Sequence, residues 1–320
     1  MSQDAAAADP GPAIDAAEAA FVERLTGSLG RPNANSPRLI GAGSNNWVYR
    51  SESRRGPIAL KLGKPHRARF ATAEFRKELW CAAAARAAGV ATPEAVETGV
   101  FEGRPFLVQA FCAGRAPGAA GEDLRSYWET LGRMAHQIDA IAVTGWGPNL
   151  GEAAGAFDGI WRRHLAYNLD CLTPDDPLVG LGVFTPATSA AWRRELERLA
   201  ALEVRMGLCH GDLAPWNLIV GDDGRATLID WGCARAAPAP FQEFVETARA
   251  GRADAAAMEA FAAGYGLSFR AFSELRGTIA AFAALREVDT LRWALEHAPD
   301  VTPELTRHAA HALEALLTGA

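Results

Sequence analysis

The chain has 320 residues, 49% of them hydrophobic and 22% charged, enough apolar material for one large domain or two lobes and too long for a single small module. No apolar run reaches about 18 residues, and the five scattered cysteines (Cys81, Cys112, Cys171, Cys209, Cys233) contain no C-x-x-C pair. Membrane spans, a disulfide framework and a structural zinc site are therefore excluded, and a soluble protein of the reducing cytoplasm is expected. The net charge of −6 gives no general case for binding nucleic acid, although it is uneven: +6 over residues 36–113 and −9 over residues 114–320.

Met1 to Pro12 is Ala-rich and acidic without the basic start of a secretory signal, so residues 1–35 read as an acidic tail and a leading helix. Residues 37–64 hold short alternating stretches, Asn46-Trp47-Val48-Tyr49-Arg50 and Pro57-Ile58-Ala59-Leu60-Lys61, that predict strands joined by turns. From Ala71 to Ala88 the chain lacks Gly and Pro and is rich in Ala, Glu, Leu and Arg, which predicts a helix stopped by Gly89. Residues 92–112 return to strand character, with a turn at Glu102-Gly103-Arg104-Pro105. Beyond a Gly/Ala loop after Gly114, helical patterns cover 123–143, 157–170, 187–203, 253–264, 279–297 and 303–317. The expected organisation is a small strand-rich lobe over 36–113 and a larger helical lobe over 114–320, with no internal repeat.

Chemistry concentrates at His210-Gly211-Asp212-Leu213-Ala214-Pro215-Trp216-Asn217 and, one short strand pair later, Leu228-Ile229-Asp230-Trp231-Gly232. Eukaryotic-type kinases place H-R-D-x-x-x-x-N and D-F-G in the same order, with the same step of five from Asp to Asn. The pattern nominates a base and two metal ligands. Upstream, Gly41-Ala42-Gly43-Ser44-Asn45 joins two predicted strands, where glycines let backbone N–H groups approach phosphate oxygens; taken alone, such a stretch is more often only a turn. Lys61 ends Ile58-Ala59-Leu60-Lys61, close to the V-A-I-K strand whose lysine meets the α- and β-phosphates. Glu74 and Glu78, four apart on one helix face, both qualify to hold that lysine.

Together these residues resemble the aminoglycoside phosphotransferase and choline kinase-like family of small-molecule kinases over roughly residues 38–250. The resemblance implies an α+β, bilobal protein-kinase-like fold with a small antiparallel-sheet N-lobe carrying one helix and a larger, mainly helical C-lobe. It implies ATP and magnesium as cofactors and Asp212 as the catalytic residue that accepts or orients the proton of an acceptor hydroxyl. Asn217 and Asp230 would be the metal ligands, and Gly41, Gly43, Ser44, Asn45, Lys61 and Glu78 the nucleotide-binding set. Glu78 is preferred over Glu74 because it lies eleven residues before the helix-ending glycine, as in the family. Ala110 and Cys112 would give backbone hydrogen bonds to adenine, with Gln109 behind the base, and His210 would be structural.

Two departures from protein kinases bear on the substrate. Gly211 stands where an Arg would bind a phosphorylated activation loop, and Ala214 where a Lys assists transfer to protein; no A-P-E follows Asp230. The expected partner is a small-molecule hydroxyl acceptor, polar or amine-bearing in the manner of aminoglycosides, amino alcohols or sugars; a protein substrate, nucleic acid and membrane are not expected. The family's G-D-P-x-x-D-L segment is replaced by Ala234 to Glu243, so aminoglycoside specificity does not transfer directly. Glu243 and Glu246, or Asp254, Glu259, Glu287, Asp289 and Glu296, are the carboxylates open to an acceptor amine, and Trp216 is open to shaping its pocket. His308 and His311 lack a third metal ligand nearby. A different class, a catalytically silent nucleotide-binding regulatory protein, is opposed by the intact Lys61, Asp212, Asn217 and Asp230.

Overall fold

A computed structural model describes residues 15–43, 45–118, 122–143, 157–249 and 253–318; Ser44 and the Met1–Pro12 stretch lie outside the described residues. The chain divides into two compact units, Met1–Pro117 with Trp216–Gly232, and Gly118–Pro215 with Cys233–Ala320.

The first unit is built from α1 (Ala16–Ser28), β1 (Arg38–Ala42), β2 (Asn46–Ser53), β3 (Gly56–Gly63), α2 (Ala68–Ala87), β4 (Ala95–Phe101) and β5 (Arg104–Ala110). The five strands form one antiparallel sheet in the order β1-β2-β3-β5-β4. Period-two alternation sorts its faces. Ile58, Leu60, Leu62, Phe106 and Val108 pack with Phe21, Val22 and Leu25 of α1, whereas Leu107 packs with Ala71 and Phe75 of α2. Lys61 pairs across the sheet with Leu107, and Ala59 with Gln109, so Lys61 and Gln109 share the face that looks onto α2.

Local signals explain the punctuation. The α2 helix ends at Gly89 with φ +90°, where Val90 N–H bonds Ala85 C=O and Gly89 N–H bonds Arg86 C=O, a Schellman closure. Glu102 and Gly103 both take positive φ, the two-residue turn that matches the twist of the β4–β5 hairpin. Asp15 caps α1, and Glu18 on its first turn receives both Arg104 Nη atoms (2.7 and 2.9 Å) and the Tyr49 hydroxyl (2.7 Å). The Arg104 guanidinium lies 4.4 Å from the Phe21 ring centroid and 5.4 Å from that of Trp47, so one residue clamps helix to sheet by charge and by ring contact.

Beyond the sheet come α3 (Arg125–Asp139), α4 (Phe157–Asp170), α5 (Pro177–Gly180), α6 (Pro186–Ala201), β6 (Arg205–Cys209), β7 (Leu218–Val220), β8 (Ala226–Leu228), β9 (Arg235–Ala239), α7 (Phe241–Ala248), α8 (Ala255–Tyr265), α9 (Phe269–His297) and α10 (Thr302–Thr318). The β7–β8 hairpin belongs to the first unit, tied there by paired backbone bonds between Arg115 and Val220 and by Leu228 N–H to Ala91 C=O. In the second unit, Trp192, Leu196, Leu199, Phe282, Leu285, Val288 and Leu291 form the helical core. The α3 and α8 helices approach through glycines: a Cβ on Gly132 would run into Phe261 C=O, and one on Gly264 into Glu129 C=O. Among the described residues no helix is long and apolar enough to cross a membrane.

Candidate active site

In the first unit the sheet delivers Lys61 to α2. Its ammonium lies 2.5 Å from Glu78 Oε1 and 3.0 Å from Asp230 Oδ1, and Gln109 Nε2 donates to the same Glu78 oxygen at 3.2 Å. Lys61 is 8% exposed and Glu78 1%. Burial opposes the positive charge, but the two carboxylates outweigh it and hold the Lys61 pKa above its ordinary value. Glu78 therefore carries the bond to Lys61, while Glu74, one turn earlier, is half-buried.

Asn217 and Asp230 flank the open end of the β7–β8 hairpin. Leu218 pairs with Leu228, and Ile229 N–H bonds Asn217 C=O at 2.9 Å, which sets Asp230 one residue beyond that bond. Asp230 has φ +65°, the left-handed region that a non-glycine residue seldom takes and that Asp tolerates better than most. Lys77, adjacent to Glu78 on α2, donates to Gly232 C=O at 2.8 Å and fixes the chain just after it. The donor set is one half-exposed carboxylate and one buried amide; no group of three His, Cys, Asp or Glu side chains able to hold a metal occurs among the described residues. Such a pair fits magnesium, which keeps waters and takes phosphate oxygens instead of filling an all-protein cage.

The glycine stretch is more regular than its composition predicts. Gly41 lies within β1, opposite Val48, next to a bulge, and the turn is confined to residues after Ala42. A Cβ on Gly41 would meet Val48 at an ordinary 3.5 Å and one on Gly43 nothing nearer than 3.9 Å, and neither glycine has positive φ. Neither packing nor backbone conformation demands glycine at these two positions. Asn45 is exposed and its C=O accepts from Lys64 N–H at 2.9 Å. Ala110 closes β5 with its N–H already on Glu94 C=O at 2.8 Å, so a bond from it to a base would run through its carbonyl; Cys112 follows in an irregular, half-buried stretch.

The second unit holds Asp212, half-buried between fully buried Leu213 and Ala214 on one side and buried His210 on the other. Gly211 has φ +77°, and a Cβ there would lie 2.7 Å from Cys233 C=O, so backbone and packing both require glycine where protein kinases carry Arg. Glu243, 1% exposed on α7, accepts the N–H of His210 at 2.7 Å and of Gly211 at 3.2 Å. Burial pushes its carboxyl up to about 7, against the pull of Cys209 and the two backbone donors. Behind it, burial and the nearby Glu243 carboxylate lift Asp139 to about 8; the Tyr265 hydroxyl donates to Asp139 at 2.8 Å.

Several carboxylates expected to be open to an acceptor amine are engaged elsewhere. Glu243 anchors the Asp212 loop, Glu246 is buried beneath Arg286 and Arg235, Asp254 caps α8, and Glu287 pairs with Arg249 and Arg286. Trp216 lies in the first unit, 49% exposed. Two contributors escaped the sequence reading in their actual roles: Gln109, whose amide bonds Glu78, and Lys77. Alternation along β5 does carry the first signal, since Gln109 is in phase with Leu107.

The model of the phosphotransferase enzyme family matches residues 36–282. No curated protein matches the chain. Similar solved structures include aminoglycoside phosphotransferase APH(4)-Ia (TM-score 0.65, 15% identity, covering 93% of this chain and 99% of that one). Macrolide 2'-phosphotransferase MphH from Brachybacterium faecium gives 0.59 at 18% identity, covering 93% and 98%. Spectinomycin phosphotransferase APH(9)-Ia, solved with ADP and spectinomycin, gives 0.53 at 17%, covering 92% and 96%. At these identities the likeness establishes the fold, an α+β kinase-like architecture with an antiparallel-sheet part and a mainly helical part.

Proposed function

We propose that this chain, which belongs to the phosphotransferase enzyme family, moves the γ-phosphate of ATP to a hydroxyl of a small polar molecule. The observation that carries the reading is Lys61, a buried ammonium held between Glu78 and Asp230 within one compact unit. A cation so placed is oriented before any ligand arrives and suits the α- and β-phosphates. Asp230 and Asn217 would hold magnesium, which when bound supplies charge neutralisation at phosphate oxygens. The absence of any packing need for Gly41 and Gly43 supports a loop shaped for close approach of phosphate to backbone. Asp212 would orient the acceptor hydroxyl and take its proton, on a loop whose N–H groups Glu243 fixes. A nucleotide and a small acceptor together in the structure of spectinomycin phosphotransferase support the pairing of ligands. Five cysteines with no disulfide among the described residues suit a reducing compartment, and the cytoplasm is the proposed location.

The test is incubation of the purified chain with γ-labelled ATP, magnesium and a panel of aminoglycosides, amino alcohols, sugars and a generic protein. Label on a small molecule is expected, and Asp212→Asn should cut turnover by roughly 10²-fold or more while sparing ATP binding. ATP binding without transfer to any member would favour the silent regulatory protein, and label on the protein alone would refute a small-molecule acceptor.

A further inference from the structure

The second unit holds a half-open cavity of about 320 Å³ lined from α4, β9, α7 and α9. That is the small end of the range of roughly 300–1,000 Å³ for small-molecule sites and suits a ligand of one or two rings. Parallel rings back it: Phe282 lies 4.9 Å from Phe241 and 5.5 Å from Trp161, with interplanar angles of 7° and 14°. At the rim the Trp293 indole is 55% exposed, one face stacked on His297 at 5.1 Å. Arg235, on the cavity wall, pairs in register with Cys209, three residues ahead of Asp212, so the cavity and the Asp212 loop grow from the same strand pair.

The polar wall donates hydrogen bonds far more than it accepts them. Arg235 and Arg286 both line the cavity; the counterion they share, Glu246, lies behind them with a side chain 3% exposed, and Arg286 Nη1 also stands 3.4 Å from Glu287 Oε1, off the lining. Glu246 Oε1 takes Arg286 Nε at 2.7 Å and Gln242 Nε2 at 2.8 Å, and stands 3.4 Å from Arg235 Nη1. Neither guanidinium's Nη2 has a protein acceptor among the described residues. Among the described residues Asp289 is the one carboxylate on the lining, and its two oxygens are engaged by His164 Nε2 and Asn168 Nδ2, each at 2.9 Å. A ligand carrying several ammonium groups would face two guanidiniums and a single, doubly engaged carboxylate. A carboxylate or similar anionic group would find two guanidiniums on the lining, with aromatic surface beside them for a flat ring.

We infer that the acceptor bound here is a ring-bearing alcohol with an anionic group, a hydroxy acid of one or two flat rings, and not a polycationic aminoglycoside. This rests on the small-molecule kinase reading and narrows its acceptor. The test uses three probes of one shape, 4-(hydroxymethyl)benzoate, 4-(hydroxymethyl)benzamide and 4-(hydroxymethyl)benzylamine, with kanamycin as the polycation. Binding to the full chain is measured by calorimetry and ligand-observed NMR, and MgATP binding is titrated separately. The benzoate should bind at least about tenfold more tightly than the benzylamine and than kanamycin, with the benzamide between. Arg235→Gln should shrink the benzoate preference to within about threefold, and Trp293→Ala, a change at a half-exposed ring, should weaken all three ring probes. Equal or undetectable binding of benzoate and benzylamine, tighter kanamycin, or a preference untouched by Arg235→Gln would overturn the inference. If MgATP binds and the charge preference is missing, only the acceptor class is wrong; if MgATP does not bind, the kinase reading itself fails.

Discussion

Removing the Glu243 carboxylate strips the acceptor from two buried main-chain donors directly before Asp212, His210 N–H at 2.7 Å and Gly211 N–H at 3.2 Å. A hydrogen bond to a charged group contributes about 1.5–3 kcal/mol, and a buried donor left without a partner costs about 1–3 kcal/mol. Glu243→Ala at pH 8, where the carboxylate is ionised, should therefore lose about 3–5 kcal/mol, a large share of the roughly 5–15 kcal/mol that holds a domain folded. The pH dependence has a definite sign. Because burial raises the folded carboxyl from 4.5 to about 7, the folded chain keeps a proton between those values that the unfolded chain releases. Stability from this group is present in full below pH 4.5 and falls as pH rises to 7, by about 1.4 kcal/mol per unit at most and about 3 kcal/mol in all. Glu243→Gln has no such slope, so its stability deficit against wild type should narrow between pH 5 and 7. Asp139, lifted to about 8 chiefly by burial, overlaps the same window; the burial part of its slope is common to both proteins and cancels, while the part owed to the Glu243 carboxylate is lost in the Gln variant. Chemical denaturation across pH 5–8 measures the difference, and native-state hydrogen exchange reads the two amides directly. A Glu243→Ala protein within about 1 kcal/mol of wild type, with His210 and Gly211 still protected, would refute the anchoring role.

Lys61→Ala leaves Glu78, 1% exposed, without its cation; breaking a buried pair costs about 3–5 kcal/mol, and ATP affinity by calorimetry should fall at least about tenfold. Adding Glu78→Gln should recover stability but not affinity, and recovery of both would sink the phosphate-binding role. Two glycines are expected to answer differently to alanine. Gly211→Ala should cost about 2 kcal/mol or more in thermal denaturation, from φ +77° and a Cβ 2.7 Å from Cys233 C=O. Gly41→Ala, at ordinary φ with 3.5 Å of clearance to Val48, should leave the melting temperature nearly unchanged and weaken ATP binding; unchanged affinity would remove this glycine from the phosphate loop.

How far the sequence was legible depended on whether each signal was local. The step from Asp212 to Asn217, the helix running to Gly89 and the hairpin at Glu102-Gly103 are all written in adjacent residues, each with its own torsional or spacing rule. Strand β9 is not: Arg235-Ala236-Ala237-Pro238-Ala239 has little strand propensity and exists because it pairs with β6 from Cys209–Arg235 to Arg205–Ala239. Pro238 and Pro240 hid α7 and with it the anchoring role of Glu243, which depends on tertiary bonds to residues 33 and 32 positions earlier. Helix α9 starts at Phe269, ten residues before the predicted 279; Gly277 inside it is tolerated, as nothing among the described residues lies within 4 Å of the Cβ it lacks. Which of the candidate acceptor carboxylates are engaged elsewhere was not legible for a related reason: burial and pairing decide whether an acid is available, and neither is visible in composition.

The torsion at Asp230 limits what can stand there in divergent sequences. At φ +65°, asparagine and glycine are the substitutes the main chain accepts most readily, whereas a β-branched residue would have to pull the Ile229–Trp231 corner out of shape. Any exchange of Asp230 that leaves this corner as it is thus narrows to Asn or Gly, whatever chemistry the carboxylate performs.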